Sequence, residues 1–169
     1  MNIVIMGVAG SGKSIIGNLL SKDTDYQFIE GDNLHPKKNI DKMQKGIPLT
    51  DEDRHSWLYN IHETLIRKEK IIISCSALKK KYRDFLIEFN DNKKIIIIYL
   101  NCRKDILEKR IKNRKAHFFP ISLLDSQLRD LEEPDFNEDH ITIDTDNNLQ
   151  QIISNIKDII KLRYNLILI

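Results

Sequence analysis

Gly7-Val8-Ala9-Gly10-Ser11-Gly12-Lys13-Ser14 follows directly on Ile3-Val4-Ile5-Met6. A short β-branched run that ends at a glycine reads as a strand. Ser14 to Leu20 reads as the helix that opens after it. The eight residues between match the pattern G-x-x-x-x-G-K-S/T. Glycines let the backbone turn so that successive N–H groups point inward at a phosphate chain. The helix adds its own unpaired N–H groups and the positive end of its dipole. Lys13 reaches the β and γ phosphates, and the Ser14 hydroxyl is a Mg²⁺ ligand that leaves most positions on the metal to water and phosphate. Gly7 through Ile15 are therefore the expected nucleotide contacts, with ATP and Mg²⁺ as the expected ligands.

Outward from this loop, aliphatic runs alternate with helical patterns. Gln27 to Ile29 is a short strand, and Ile71 to Ser74 and Ile95 to Leu100 are continuous apolar runs. Unbroken runs of this kind fit parallel strands buried on both faces. Ile141 to Ile143 is the fifth strand. Thr50 is placed to cap the N–H of Asp53, and Trp57, Leu58, Ile61 and Leu65 then share one helical face. Lys79 to Phe89 and Arg103 to Asn113 follow strands three and four as helices. The final helix carries Leu149, Ile152, Ile153, Ile156, Ile159 and Ile160 on one side. The β-α-β-α order predicts an α/β fold: a five-stranded parallel sheet with helices on both faces, in one domain over residues 1–169. The apolar Asn165–Ile169 tail reads as a last packing segment.

Composition narrows the function. The 169 residues carry 27 basic and 25 acidic side chains, a net charge of +2, which leaves no basic footprint for nucleic acid. Cys75 and Cys102 form no C-x-x-C pair, so neither a disulfide framework nor a zinc set is expected, and a reducing, cytoplasmic setting is. The N-terminus lacks the basic region of a signal peptide, and no apolar stretch of about 18 residues suggests a membrane span. An N-K-x-D or D-x-x-G element, as in guanine-nucleotide switches, is absent.

Four further blocks carry a family resemblance. They are Phe28-Ile29-Glu30-Gly31-Asp32-Asn33-Leu34-His35-Pro36 with Asn39-Ile40-Asp41-Lys42-Met43; Gly46 to Arg54 with Trp57-Leu58; Ser74-Cys75-Ser76-Ala77-Leu78-Lys79-Lys80 with Tyr82-Arg83-Asp84; and Lys115-Ala116-His117-Phe118-Phe119 with Leu131-Glu132-Glu133-Pro134. With the glycine loop, this resembles bacterial gluconokinases of the thermoresistant type, a family of P-loop small-molecule kinases. The resemblance implies the nucleoside-monophosphate-kinase and shikimate-kinase fold, a lid over roughly 112–131, gluconate as phosphate acceptor, and a homodimer.

Roles follow residue by residue. Asp32, just after strand two, is the expected base toward the acceptor hydroxyl. Glu30 is expected to point to the opposite side of the sheet and to reach the metal through water. Arg54 suits a two-pronged grip on the gluconate carboxylate, against the alternative of a surface pair with Asp51 or Asp53. His35 and His117 are expected at the acceptor's hydroxyls. Lys79 is expected to neutralise the transferring phosphoryl group or to bind the acceptor. Ser76 stands near where a Walker-B carboxylate would, and Gln127 is expected to face the acceptor. In the lid, Arg110 is expected to stack on adenine and Arg114 to reach the phosphates. Trp57 reads as core. A second small-molecule kinase, such as one for shikimate, or a non-catalytic nucleotide-binding regulator are the competing readings.

Overall fold

Alternation along each strand sends successive side chains to opposite faces, and both faces are covered here. In the computed structural model, which describes residues 1–22, 24–88, 94–113 and 121–168, five parallel strands stand in the order β2-β3-β1-β4-β5. They are β1 (Asn2–Met6), β2 (Gln27–Glu30), β3 (Ile71–Ser74), β4 (Ile95–Asn101) and β5 (His140–Asp144). Ile3, Ile5, Ile72, Ile96 and Ile98 pack on one face, against α1 (Lys13–Lys22) and α7 (Leu149–Tyr164). Val4, Met6, Ile71, Ile73, Ile95 and Ile97 pack on the other, against α3 (Asp51–Arg67) and α4 (Lys80–Ile87). The continuous aliphatic runs thus have the cause expected of them: β1, β3 and β4 each contribute to two cores, whereas β5, at the sheet edge, buries only Ile141 and Ile143.

Between β2 and α3, two features lie outside what periodicity indicated. A 3₁₀ turn, Gly31–Leu34, and the helix α2, Lys37–Gln44, fill the connection between β2 and α3. They are short and mostly polar, so no apolar stripe announces them. The α3 start does follow the sequence signal. Thr50 Oγ1 accepts from Asp53 N at 3.2 Å, and Asp53 Oδ2 accepts from Thr50 N at 3.0 Å, a reciprocal capping box. Lys79 sits at the N-cap of α4 rather than inside it, and Phe89, expected at its end, lies outside the described residues. Leu149 opens α7 but lines the central cleft. Asn165, in the left-handed region at φ 50°, ends α7, and the tail turns back so that Leu168 joins the core.

The remaining helices, α5 (Lys104–Lys112) and α6 (Ile121–Asp130), stand at the carboxyl ends of the strands. Leu107, Ile111 and Leu124 form a small separate core with Val8 and Leu78. Among the described residues no helix is long and apolar enough to cross a membrane.

Candidate active site

β1 is flanked by β3 on one side and β4 on the other, so the chain reverses direction across the sheet at β1. That switch point, at the carboxyl ends of the strands, is where open α/β sheets bind ligands. A cleft of about 600 Å³ opens there. It runs from the glycine loop to the turn after β2.

The phosphate end is made mainly of backbone. Gly7 has φ +146°, and a Cβ on it would lie 2.8 Å from Ser11 Oγ and 3.0 Å from the Leu100 carbonyl. Only glycine lets the loop fold over its own serine at that point. Lys13 Nζ donates to the carbonyls of Gly7 (2.9 Å) and Val8 (3.0 Å), which holds the ammonium across the loop. Ser14 and Ile15 line the cleft in the first turn of α1, where N–H groups have no acceptor within the helix. Gln127, from α6, accepts from Ala9 N through Oε1 at 2.7 Å. It therefore docks on the glycine loop, not on the acceptor side where it was expected, because α6 packs directly over Val8.

At the nucleoside end, Arg110 lines the cleft. Its Nη2 donates to the Thr145 carbonyl at 2.7 Å, and Nη1 lies 3.4 Å from Thr145 Oγ1 and 3.5 Å from Cys102 Sγ. Thr145 is in turn held by the Asn101 carbonyl, through its N–H at 2.9 Å and its hydroxyl at 3.0 Å. The guanidinium is thus fixed by the ends of β4 and β5. Thr145 escaped the sequence reading, although its place just past a strand end was the available signal. Arg114, His117, Phe118 and Phe119 lie outside the described residues.

The acceptor end depends on side chains brought from distant elements. Gly31 makes it possible: a Cβ there would sit 1.8 Å from the Ser74 carbonyl oxygen. Its N–H donates to Ser74 Oγ at 3.0 Å, and its carbonyl accepts from Trp57 Nε1 at 2.8 Å. Asp32 follows, exposed to the cleft, and among the described residues no donor binds its carboxylate. Glu30 also lines this cleft and accepts from the Ser74 hydroxyl. The expectation that Glu30 and Asp32 face opposite ways is overturned. Residues two apart on a strand share a face, and the chain leaves the strand at Gly31 in any case.

His35 is buried, with its ring stacked on Trp57 at 4.2 Å between centroids and 12° between planes. Burial, and then the Arg54 charge, push its imidazole down to about 4, so the ring is neutral near pH 7. Trp57 is core, as read, and also cleft wall. Arg54 is buried and lines the cleft. Its Nη2 lies 3.2 Å from Asp130 Oδ2, while Nη1 lies 3.2 Å from Tyr82 Oη and 3.8 Å from Asp51 Oδ1. Asp53, the other partner considered, is held by Lys42 and Thr50 instead; these hold its carboxyl down at about 2, Lys42 contributing most.

Lys79 is not among the residues lining the cleft; its ammonium donates to Asp51 Oδ1 at 2.9 Å. Asp51 also accepts from Lys81 and Tyr82, and these three donors depress its carboxyl below the usual range, Lys81 first. The acidic start of α3 captures the lysine before it can reach across. Ser76 does line the cleft, and its carbonyl accepts from Gly7 N at 3.4 Å. Beneath it, Arg83 is 1% exposed. Its Nη1 donates to the carbonyls of Ala77, Leu78 and Glu132, and its Nη2 to Glu138 Oε1 at 2.8 Å. Arg83 thereby fixes the loop after β3, including Ala77 at φ 43°. The sequence offered only its membership of a recognisable block, because its burial depends on residues about 50 positions away.

Known proteins resemble this chain in sequence and in fold. The Shikimate kinase family profile matches residues 9–161. Thermoresistant gluconokinase of Escherichia coli is 41% identical over 94% of this chain and 92% of its own. The crystal structure of a gluconokinase from Sinorhizobium meliloti is 42% identical, covers 97% of this chain and 94% of that one, and superposes with a TM-score of 0.88. A shikimate kinase from Bacteroides thetaiotaomicron, at 17% identity and a TM-score of 0.70 over 95% of this chain and 98% of that one, shares the fold. The glycine loop, the sheet order and these similarities together make the chain a member of the P-loop shikimate kinase family, in the branch formed by the gluconokinases.

Proposed function

We propose that the protein transfers the γ-phosphoryl group of ATP to a hydroxyl of D-gluconate, giving 6-phospho-D-gluconate and ADP. The observation that carries this reading is one cleft with a glycine loop at one end and a carboxylate, Asp32, with a buried guanidinium, Arg54, at the other. A sugar acid needs those two groups: one to take the proton of its hydroxyl, one to hold its carboxylate. The gluconokinase names among relatives at 41% and 42% identity support the same acceptor.

In this scheme the acceptor oxygen attacks the γ phosphorus, the bond to the bridging oxygen breaks, and Asp32 takes the proton. The amides of the glycine loop and the Lys13 ammonium hold the phosphates and offset the charge that spreads over them. Arg54 and His35 orient the acceptor. The donor set suits Mg²⁺, which asks for few protein ligands: the Ser14 hydroxyl and, through water, the Glu30 carboxylate are the groups that would hold it. When bound it would offset negative charge on the phosphates. Residues 112–131, with Arg110 at their base and Arg114 within, form the lid of this scheme, which excludes water as a competing acceptor. Lys79 is assigned to the Asp51 cluster beside the acceptor. A cytoplasmic homodimer completes the reading, tested by sedimentation of the purified protein.

The decisive assay measures ADP release with gluconate, shikimate and nucleoside monophosphates in parallel. Gluconate-dependent release is expected, and its absence ends the proposal. Tight ATP binding without any acceptor-dependent ADP would instead mark a nucleotide-binding regulator.

A further inference from the structure

Asn39 has no direct part in the scheme above, yet it is fully buried. A buried amide side chain in a short polar helix calls for a reason. Its Nδ2 is 2.7 Å from the Asp53 carbonyl oxygen and 3.3 Å from His35 Nδ1. The Asp53 carbonyl only accepts, so the group facing it must be the amide nitrogen. Half a turn of the amide would bring two oxygens together at 2.7 Å. With the nitrogen so fixed, its second hydrogen points to His35 Nδ1. A proton on that ring nitrogen would set donor against donor, so Nδ1 is the acceptor and the proton of the neutral ring sits on Nε2.

We propose that Asn39 is a positioning residue that locks His35 in the Nε2–H tautomer, so that the ring offers the acceptor end of the cleft a hydrogen-bond donor. The ring cannot escape this choice easily. Trp57 fixes its plane by stacking, and Trp57 is itself tied to the Gly31 carbonyl. The capping box at Thr50 and Asp53, with the Lys42 contact, fixes the carbonyl that orients Asn39. The cationic form is disfavoured by burial and by Arg54. A donor at this edge pairs with a hydroxyl oxygen and discriminates for polyhydroxy acids whose oxygen falls there. The inference rests on the acceptor-end assignment under Proposed function for its consequence, but not for the tautomer.

Histidine-selective ¹⁵N labelling with long-range ¹H–¹⁵N correlation reads the tautomer directly, and loss of one of the five histidine patterns in His35→Gln assigns it. In the unsubstituted protein at neutral pH, a bare Nδ1 and a protonated Nε2 are expected; a protonated Nδ1 overturns the proposal. Asn39→Leu keeps the volume and removes the donor that faces Nδ1, so either neutral form of the ring becomes open to it. The Nδ1–H tautomer should become populated and the gluconate KM should rise by about 2–10-fold, the loss of one hydrogen bond, with the ATP KM unchanged. A tautomer and gluconate KM that ignore the substitution, or an equal rise for ATP, remove the positioning role. Should Asn39→Leu fail to fold, the measurement on the unsubstituted chain still decides the tautomer. That measurement uses no acceptor, so it stands or falls separately from the choice of gluconate.

Discussion

The two ends of the cleft are built by different means. The phosphate end is a local device: eight consecutive residues supply its amides, its ammonium and its hydroxyl. The acceptor end draws Asp32 from the turn after β2, His35 from the approach to α2, Arg54 and Trp57 from α3, and Ser76 from the loop after β3. Its side chains are set by other side chains: Arg54 by Asp130 and Tyr82, His35 by Asn39 and Trp57. A backbone device tolerates change around it, because the peptide groups are present whatever the neighbours. A side-chain device fails when a supporting partner is lost. The contrast implies that acceptor use can vary while nucleotide use stays constant.

The largest expected break in that contrast is Asp32→Asn. Turnover should fall by about 10²–10⁴-fold, with ATP affinity by calorimetry unchanged, since the loop's amides and Lys13 hold the nucleotide in this scheme. Unaltered turnover would take Asp32 out of the chemistry.

Acid should also separate the ends, through stability rather than rate. The His35 imidazole is held near 4 in the fold, against about 6.5 in an unfolded chain. Between those values the unfolded chain binds a proton that the folded one refuses, so stability rises with pH across this window and is lost as pH falls through 4. The loss is on the order of 3 kcal/mol, read as the difference between urea melts of the unsubstituted protein and of His35→Gln from pH 7 to pH 4. Parallel curves for the two proteins would show that His35 titrates normally.

Arg54→Ala should raise the gluconate KM by about 10–100-fold, the cost of one charged hydrogen-bonding partner, and leave the ATP KM alone. An unchanged gluconate KM would reduce Arg54 to a partner of Asp130. The smallest and most diagnostic effect belongs to Asp130→Asn. The Asp130 carboxylate sits on the guanidinium at 3.2 Å, where an acceptor carboxylate would compete with it. Removing its charge should lower the gluconate KM by about 2–5-fold, in keeping with a part-exposed ion pair. A raised KM would mean that Asp130 holds Arg54 in place rather than competing for it.

How much of this was legible beforehand divides along the same line. The glycine loop, the capped start of α3 and the doubly buried strands could all be read from the chain, because each is a pattern within a few residues. The Asp32 and Arg54 blocks were legible as a resemblance, and Asp51 as a neighbour of Arg54, but Asp130 and Tyr82 were not. Lys79 shows the limit: a lysine after a strand end suits phosphate, yet Asp51, 28 residues earlier, takes it. Gln127 shows it again, turning to Ala9 across 118 residues.

By itself the sequence determined the fold class, the nucleotide loop and the family of the acceptor site, since hydrophobic period and glycine spacing act over one or two turns of chain. Tertiary structure alone decided which charges meet. It put Arg54 beside Asp130, Arg83 under the Ser76 loop, and Asn39 behind His35. Those pairings arise where separate elements converge, and a hydrogen bond is fixed by distance and direction in space, to which separation along the chain is no guide.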